Sequence, residues 1–151
     1  MLLGQEGLDR LAHSTVVVAG AGGVGGYAAE MLVRAGIGHL VVIDSDTVSD
    51  TNRNRQILAL TSTVGRSKCE VLAERLLDIN PDMDLKTMQT YITASYHGDG
   101  TPFDEPGETS PQALLAGMDI DYVVDAIDTV APKLSLIKYC NIFKTRIQKI
   151  F

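Results

Sequence analysis

A glycine-rich stretch directly after a short apolar segment constrains this chain more than any other feature. Residues 15–19 read Thr-Val-Val-Val-Ala, and Gly20, Gly22, Gly23 and Gly25 follow at once. A β-branched apolar run of this length is typical of a strand buried on both faces. Glycines let backbone N–H groups approach a phosphate, and the next helix directs its positive N-terminal dipole towards the anion. The spacing therefore predicts a nucleotide or dinucleotide site.

A second apolar run predicts a parallel partner for the first strand. Residues 39–43 end at Asp44, about 20 residues beyond the last glycine, where an acid can bind the ribose hydroxyls. The segment between the strands has apolar residues at helical spacing, and Gly36 is suited to end that helix. Strand, helix and strand in this order predict a right-handed crossover. We expect one helix face to pack on the sheet, formed by Val24, Tyr27, Ala28, Met31, Leu32 and Ala35.

The remaining segments continue the same alternation. We predict a helix over 65–79 and strands over 85–92 and 122–127, with a flexible surface loop near 97–111 where Gly, Pro, Asp, Glu, Ser and Thr gather. The fold class is therefore α/β: a Rossmann-like, doubly wound, mostly parallel sheet with helices on both faces. Residues 1–151 suit a single nucleotide-binding domain.

Composition and charge exclude several classes of protein. The formal net charge of −6 argues against a surface that coats nucleic acid without specificity. The five cations after Asp128 could contact phosphates, but a solvated helix face is the preferred interpretation. Cys69 and Cys140 form no C-x-x-C pair, so neither a disulfide framework nor a zinc site is indicated. Without a leader pattern or a long apolar run, we predict a cytoplasmic protein with no membrane segment.

The loop after Asp44 is more selective than the glycine motif. Residues 45–63 are long for a connection in an α/β fold, and they gather amides and cations next to the predicted ribose acid. Transfer at a triphosphate needs such groups, together with a metal ion, to neutralise developing charge. The alternative is a polar loop that caps the next helix, with Arg55 paired to Asp46 or Asp50. The candidate residues here are Asp46, Asn52, Asn54, Arg55, Gln56 and Lys68.

Asp128 ends the last predicted strand and joins the same site. Ligands of parallel α/β sheets bind beyond the carboxyl ends of the strands, where the glycine loop, Asp44 and Asp128 all fall. Asp128 is therefore a candidate to hold Mg²⁺ beside phosphates. It is equally interpretable as the N-cap of a helix that begins near Pro132. Asp125 faces the sheet or braces the loop.

These residues, taken in order, resemble the adenylating enzymes of the ubiquitin-activating, ThiF, MoeB and HesA type. The marks of that family are G-x-G-G-x-G, a strand-end acid, Asn and Arg-Gln in the next loop, a following Lys, and D-x-x-D. The chain carries these marks at Gly20 to Gly25, Asp44, Asn52, Arg55-Gln56, Lys68 and Asp125 to Asp128.

The resemblance implies roles for the individual residues. Asp44 would bind the ribose, and Asp128 would order Mg²⁺. Asn52, Arg55 and Lys68 would hold and polarise the phosphates of ATP, while Asn54 and Gln56 would support the loop. Arg55, Lys68 and Asp128 are thus the catalytic candidates. The nucleotide-binding candidates are Gly20, Gly22, Gly23, Gly25, Asp44, Asp46, Asn52, Asn54, Arg55, Gln56 and Lys68.

Within this family the chain looks most like the tRNA threonylcarbamoyladenosine dehydratases. The resembling stretches include Leu2-Leu3-Gly4, Asp44 to Gln56, Asp78 to Pro81 and Tyr122 to Thr129. The resemblance implies ATP-dependent cyclodehydration of a modified adenosine in tRNA through an acyl-adenylate, by a homodimer. Family members also carry an upstream arginine and continue well past Cys140, so we expect this sequence to lack the family's C-terminal part.

Two alternatives remain open from the sequence. The glycine motif with Asp44 also suits an NAD-dependent oxidoreductase, although Arg55, Gln56 and Lys68 would then have no task. A non-catalytic ATP-binding member of the adenylating family would bind ATP without releasing pyrophosphate.

Overall fold

The computed structural model of the chain describes residues 4–97, 99, 101 and 107–149. Its helices are α1 Gly4–His13, α2 Gly25–Ala35, α3 Lys68–Ile79, α4 Pro111–Leu114 and α5 Val130–Ile142, with a 3₁₀ turn at Asp50–Asn52. Its strands are β1 Thr15–Ala19, β2 His39–Ile43, β3 Asp84–Met88, β4 Tyr122–Asp125 and β5 Arg146–Lys149. They form one five-stranded sheet in the order β3-β2-β1-β4-β5.

Every strand pair in this sheet is parallel, so the carboxyl ends of the strands meet at one edge. Val17 and Val18 in β1 are fully buried, because helices cover both faces of the sheet. On one face Val18 packs in a cluster with α2 and α3, and on the other Val17 packs in a cluster with α5. The predicted Rossmann-like α/β fold is confirmed.

The face that α2 buries matches the predicted one only in part, because Ala28 and Leu32 pack partly buried against the core while other predicted residues do not. Val24, Tyr27 and Met31 are 45%, 46% and 54% exposed, whereas Ala29 and Val33 are buried. Apolar residues occur on two sides of this helix, so helical spacing alone could not choose between them. The structure turns the small side chains inward, because they let the helix approach the sheet closely. Val24, Tyr27 and Met31 form an apolar stripe on the surface.

Several element boundaries also differ from the prediction. β3 ends at Met88 rather than at residue 92, and β4 ends at Asp125 rather than at residue 127. The interpretation of the basic segment after Asp128 as a solvated helix face is wrong in two respects. Lys133 points inward, with its side chain 15% exposed, and Arg146 lies in β5, which was not predicted. A four-residue strand at the sheet edge carries too few apolar residues to be recognised.

The segment between β3 and β4 lies partly outside the described residues. Residues 98, 100 and 102–106 are not described, so the predicted flexible loop stays a prediction. The described part includes α4, whose N-cap Ser110 accepts a hydrogen bond from the backbone N–H of Ala113. Among the described helices, none is long and apolar enough to cross a bilayer.

Candidate nucleotide-binding site

A cleft of about 530 Å³ lies at the carboxyl edge of the sheet, beyond the ends of β1, β2 and β4. It brings together most of the residues that the sequence singled out. Of the candidates, only Gly25 and Asn54 do not line the cleft. The lining candidates are Gly20, Gly22, Gly23, Asp44, Asp46, Asn52, Arg55, Gln56, Lys68 and Asp128.

The glycine loop is built for close backbone approach. Gly20 has a φ of +96°, and a Cβ there would lie 2.7 Å from the carbonyl oxygen of Ala126. A Cβ on Gly25 would lie 1.7 Å from the carbonyl oxygen of Gly20, so no larger residue fits at the start of α2. Gly22 and Gly23, which lie between these two glycines in the sequence, line the cleft. The loop therefore presents backbone to a ligand at the N-terminus of α2, as a phosphate site requires.

Asp44 fixes the geometry of this loop from the end of β2. One carboxylate oxygen accepts a hydrogen bond from the backbone N–H of Ala21 at 2.6 Å, and the other accepts one from the N–H of Asp46 at 2.8 Å. A carboxylate has about four acceptor positions, so the group can still accept hydrogen bonds from a ligand. Asp44 thus suits a ribose while it also joins the glycine loop to β2.

Lys68 is a buried cation at the floor of the cleft. Its side chain is 6% exposed, and Nζ lies 2.7 Å from a carboxylate oxygen of Asp46, which is 56% exposed. Ser67, the N-cap of α3, precedes it and accepts a hydrogen bond from the N–H of Glu70. A buried ammonium needs a counter-charge. Asp46 supplies it here, and a phosphate in the cleft could share that role.

Arg55 differs from its neighbour Arg53 in its partners. Arg53 forms an ion pair with Asp50 at 2.9 Å. The guanidinium of Arg55 instead donates to the backbone carbonyl of Thr51 and to Oδ1 of Asn54. In the described residues no carboxylate lies within ion-pair distance of Arg55, so its pairing with Asp46 or Asp50 is not seen. The exposed Arg55 is a cation available to an anionic ligand.

The side-chain amides of Asn52 and Gln56 differ in their hydrogen-bond partners. Oδ1 of Asn52 accepts a hydrogen bond from the N–H of Ser49 at 3.1 Å and closes the 3₁₀ turn. Gln56 is 8% exposed, and its Oε1 has no hydrogen-bond partner within the described part of the chain. A buried acceptor without a partner costs about 1–3 kcal/mol. A ligand or ordered water in the cleft would recover part of that cost.

Asp128 and Asp125 have different surroundings. Asp128 is exposed in the cleft, and its Oδ1 accepts a hydrogen bond from the hydroxyl of Thr129, the residue that caps α5. Asp125 is fully buried and pairs with Nζ of Lys133 at 2.9 Å. Asp125 therefore braces the sheet end against α5. Asp128, not Asp125, has its carboxylate towards the cleft.

The residues present fit a nucleotide with a divalent cation. The glycine cradle suits phosphates, and Oε1 of Gln56, which has no partner among the described residues, can accept a hydrogen bond from a ligand or from water. Mg²⁺ is commonly held by one or two carboxylates together with phosphate oxygens, so Asp128 alone is a sufficient protein contribution. No cluster of three potential metal-binding side chains was found in the described ranges, so a metal site made by the protein alone is not indicated there.

Sequence reasoning missed one wall of the cleft. Thr90, Tyr91 and Ile92 follow β3 and line the cleft, and Tyr91 is 69% exposed. The predicted third strand included these residues, so the pattern gave no sign that they leave the sheet. Only the parallel order of β3 and β2 places this segment next to Asp44.

The two cysteines are unsuited to nucleophilic chemistry. Burial raises the pKa of the Cys69 thiol, and it raises that of Cys140 to about 11. The two side chains are 2% and 0% exposed. A thiol is nucleophilic as its thiolate, which such surroundings disfavour. The site has no activated cysteine among these two residues.

The chain belongs to the ThiF family, whose model matches residues 1–148. Among its relatives, tRNA threonylcarbamoyladenosine dehydratase of Bacillus subtilis is 41% identical over 140 residues, which are 93% of this chain and 49% of that protein. The dehydratase of Escherichia coli is also 41% identical over 140 residues, 47% of its length. The chain therefore spans about half the length of the curated relatives it matches.

The fold is shared with a solved member of this group. The crystal structure of the Escherichia coli tRNA N6-threonylcarbamoyladenosine dehydratase, TcdA, in complex with ATP has a TM-score of 0.84 to this chain at 39% identity. The match covers 98% of this chain and 55% of that one. The resemblance drawn from the glycine loop, Asp44, Arg55 and Lys68 is thus confirmed at the level of the family.

Proposed function

We propose that this protein is an ATP-dependent adenylating enzyme that cyclodehydrates threonylcarbamoyladenosine in tRNA. The observation that carries the proposal is one cleft lined by a glycine cradle, Asp44, the buried Lys68, Arg55 and Asp128, in which Arg55 has no carboxylate partner among the described residues. The similarity to proteins named tRNA threonylcarbamoyladenosine dehydratase supports this choice of substrate.

In the proposed reaction, a carboxylate oxygen of the threonyl group attacks the α-phosphorus of ATP. A bond forms between that oxygen and phosphorus, and the bond from phosphorus to the pyrophosphate oxygen breaks. A nucleophile within the same substrate then attacks the activated carbonyl carbon, loses its proton and displaces AMP. The modified base closes into a ring and has lost the elements of water. This route needs no protein nucleophile, in agreement with the burial of Cys69 and Cys140.

The residues of the chain act in this scheme by position and charge. The glycine loop and the N-terminus of α2 hold the phosphates, and Asp44 holds the ribose. Arg55 and Lys68 stabilise negative charge that grows on the phosphate oxygens as attack proceeds. Mg²⁺, held by Asp128 and the phosphates, would neutralise further charge there.

We propose in addition that the protein acts as a homodimer in the cytoplasm. Val24, Tyr27 and Met31 form an exposed apolar stripe at the start of α2, and Leu60 and Val64 in the loop between β2 and α3 are 54% and 43% exposed. Exposed apolar surface is typical of a protein interface, and we propose that the stripe on α2 is part of one. The glycine loop is continuous with α2, so a partner on this stripe would lie close to the cleft.

The alternatives are less well supported. An NAD-dependent oxidoreductase is not favoured, because Arg55 and Lys68 would have no task in hydride transfer and one similar protein was crystallised with ATP. A non-catalytic member of the family can be distinguished from the proposed enzyme by experiment, because it would bind ATP and release no pyrophosphate.

The test is incubation of the purified protein with ATP, Mg²⁺ and tRNA that carries threonylcarbamoyladenosine. We expect AMP and pyrophosphate in equal amounts and a nucleoside lighter by one water, measured by mass spectrometry. Unmodified tRNA is the control and should give neither product. Binding of ATP with no pyrophosphate above that control would contradict the proposal and favour the non-catalytic alternative.

A further inference from the structure

The cleft wall formed by residues 90–92 belongs to no helix or strand. Thr90, Tyr91 and Ile92 follow the end of β3 and line the cleft, beside the carboxyl end of β2. A segment without a sheet ladder depends on other contacts to keep its place. The hydrogen bonds and packing contacts that hold this segment therefore determine how rigid the cleft wall is.

A buried hydrogen bond ties this segment to α5. The backbone N–H of Ser95 donates to Oγ of Ser135 at 3.0 Å. Ser95 is 2% exposed and Ser135 is fully buried, so water cannot replace this acceptor. The hydroxyl of Ser95 in turn donates to Oε1 of Gln112 in α4 at 2.9 Å. One serine of α5 thus holds the backbone that continues from the cleft wall.

Apolar packing places the wall and the anchor in one unit. Ile92 is 8% exposed and packs in the same buried cluster as Leu136 and Tyr139 of α5. The N–H of Thr93 donates to the carbonyl of Thr109 at 3.0 Å, which adds a second backbone tie. Helix α5 begins directly after Asp128 and Thr129, which line the cleft. The same helix also anchors another segment of the lining, residues 90–92, through Ser135.

The order of the strands indicates which part of a nucleotide would lie against this wall. The glycine loop follows β1, Asp44 follows β2, and residues 90–92 follow β3, which is the next strand in the sheet. With phosphates at the glycine loop and ribose at Asp44, the base extends towards residues 90–92. This step relies on the proposed nucleotide site.

We infer that Ser135 is a positioning residue for the nucleoside part of the bound nucleotide. Its hydroxyl holds Ser95, and through that segment it keeps Thr90, Tyr91 and Ile92 in place against the base. The phosphates would instead contact the glycine loop, Arg55 and Lys68, and in the described residues neither of these two cations is hydrogen-bonded to Ser95 or Ser135. The inference rests on the proposed function only for the nucleotide, not for the tRNA reaction.

The test compares two ligands in calorimetric titrations of Ser135→Ala and of the unaltered protein. Removal of the hydroxyl leaves the buried N–H of Ser95 without an acceptor, so the wall should shift or loosen. We expect ATP to bind roughly 10-fold more weakly, a loss comparable to one hydrogen bond. Inorganic tripolyphosphate, which lacks the nucleoside, should bind as it does to the unaltered protein.

Cys140→Ala is the matched control. Cys140 is also fully buried and lies in α5, and in the described residues its thiol forms no hydrogen bond with residues 90–97. It should lose thermal stability and keep its affinity for ATP. Gln112→Ala removes the hydrogen-bond partner of the Ser95 hydroxyl at a half-buried position. It should weaken the binding of ATP but not of tripolyphosphate, by less than Ser135→Ala does. This second variant keeps the test valid if Ser135→Ala does not fold.

Unchanged ATP affinity in both Ser135→Ala and Gln112→Ala would overturn the inference. Equal weakening of ATP and tripolyphosphate would overturn it as well, because that result indicates a general loosening of the cleft. If the proposed tRNA reaction does not occur, the dissociation constants for ATP and tripolyphosphate are unaffected. Failure of the proposed function is therefore distinguishable from failure of this inference.

Discussion

Arg55 is the residue at which the phosphate-binding and structural interpretations separate most clearly. The sequence allowed it to pair with Asp46 or Asp50, yet Lys68 pairs with the former and Arg53 with the latter. Arg55 donates to Thr51 and Asn54, which leaves its positive charge without a carboxylate in the part of the chain that the structure describes.

Arg55→Ala should lower the rate of adenylation far more than it weakens ATP binding. If Arg55 stabilises charge that grows in the transition state, the loss should be about 100-fold at saturating ATP. Pyrophosphate exchange in the presence of modified tRNA measures this rate. Arg53→Ala is the control, because that cation is neutralised by Asp50, and it should stay within a few-fold of the unaltered protein. Similar rates for the two variants would remove Arg55 from the mechanism.

Asp44→Ala should weaken ATP binding by roughly 1.5–3 kcal/mol, the range for hydrogen bonds to a charged group. The residue also accepts hydrogen bonds from Ala21 and Asp46, so some of the loss will come from a looser glycine loop. Dideoxy-ATP separates the two contributions, because it lacks both ribose hydroxyls. The unaltered protein should prefer ATP to dideoxy-ATP, and the variant should not. A variant that keeps this preference would show that Asp44 does not bind the ribose.

At the scale of elements, Glu30 joins α2 to α3. Its side chain is 5% exposed and pairs with Arg75 at 2.6 Å and with Arg34 at 2.8 Å. The hydrogen bond from Arg75 holds the pKa of Glu30 below its ordinary value, against the opposing effect of burial. This ion pair therefore positions the helix that begins at the glycine loop.

Glu30→Gln should lower the free energy of unfolding by about 1.5–3 kcal/mol near pH 7. Because the pKa is lowered in the folded state, the unfolded chain binds the proton more readily as the pH falls. The stabilisation is thus present above the ordinary glutamate pKa of 4.5 and is lost as the pH falls through the folded value. Urea titrations at several pH values should show the two proteins converging in acid.

Glu74→Gln is the control for this prediction. Glu74 pairs with Arg66, but both side chains are well exposed, at 64% and 39%. Exposed ion pairs contribute little, so the effect at neutral pH should be much smaller than that of Glu30→Gln. If Glu30→Gln and Glu74→Gln lower the free energy of unfolding equally, the pair of the buried Glu30 with Arg75 does not stabilise the fold more than an exposed pair does.

The elements also show how far the sequence could predict the site. Gly20, Asp44 and Asp128 stand at the ends of apolar runs, and parallel strands bring such ends together without further information. The side of α2 that packs, and the anchor from Ser95 to Ser135, depend on contacts between residues distant in the chain. No local pattern encodes these contacts.

At the scale of the whole molecule, the exposed stripe on α2 makes the proposed homodimer testable. Tyr27→Asp together with Met31→Asp should convert a dimer to a monomer, because charges would enter an apolar interface. Sedimentation at micromolar concentration measures the mass. Leu77→Asp, at a 41% exposed position on α3 outside the stripe, is the control and should stay dimeric. A monomeric unaltered protein would contradict the homodimer.

The central claim is that a carboxylate oxygen of the substrate becomes bonded to the α-phosphorus of ATP. Isotopic labelling tests it most directly, with heavy oxygen in the threonyl carboxylate of the modified tRNA and mass spectrometry of the released nucleotides. We predict that AMP carries one labelled oxygen and that pyrophosphate carries none. Label in inorganic phosphate, with ADP as the second product, would contradict the claim and indicate attack at the γ-phosphorus instead.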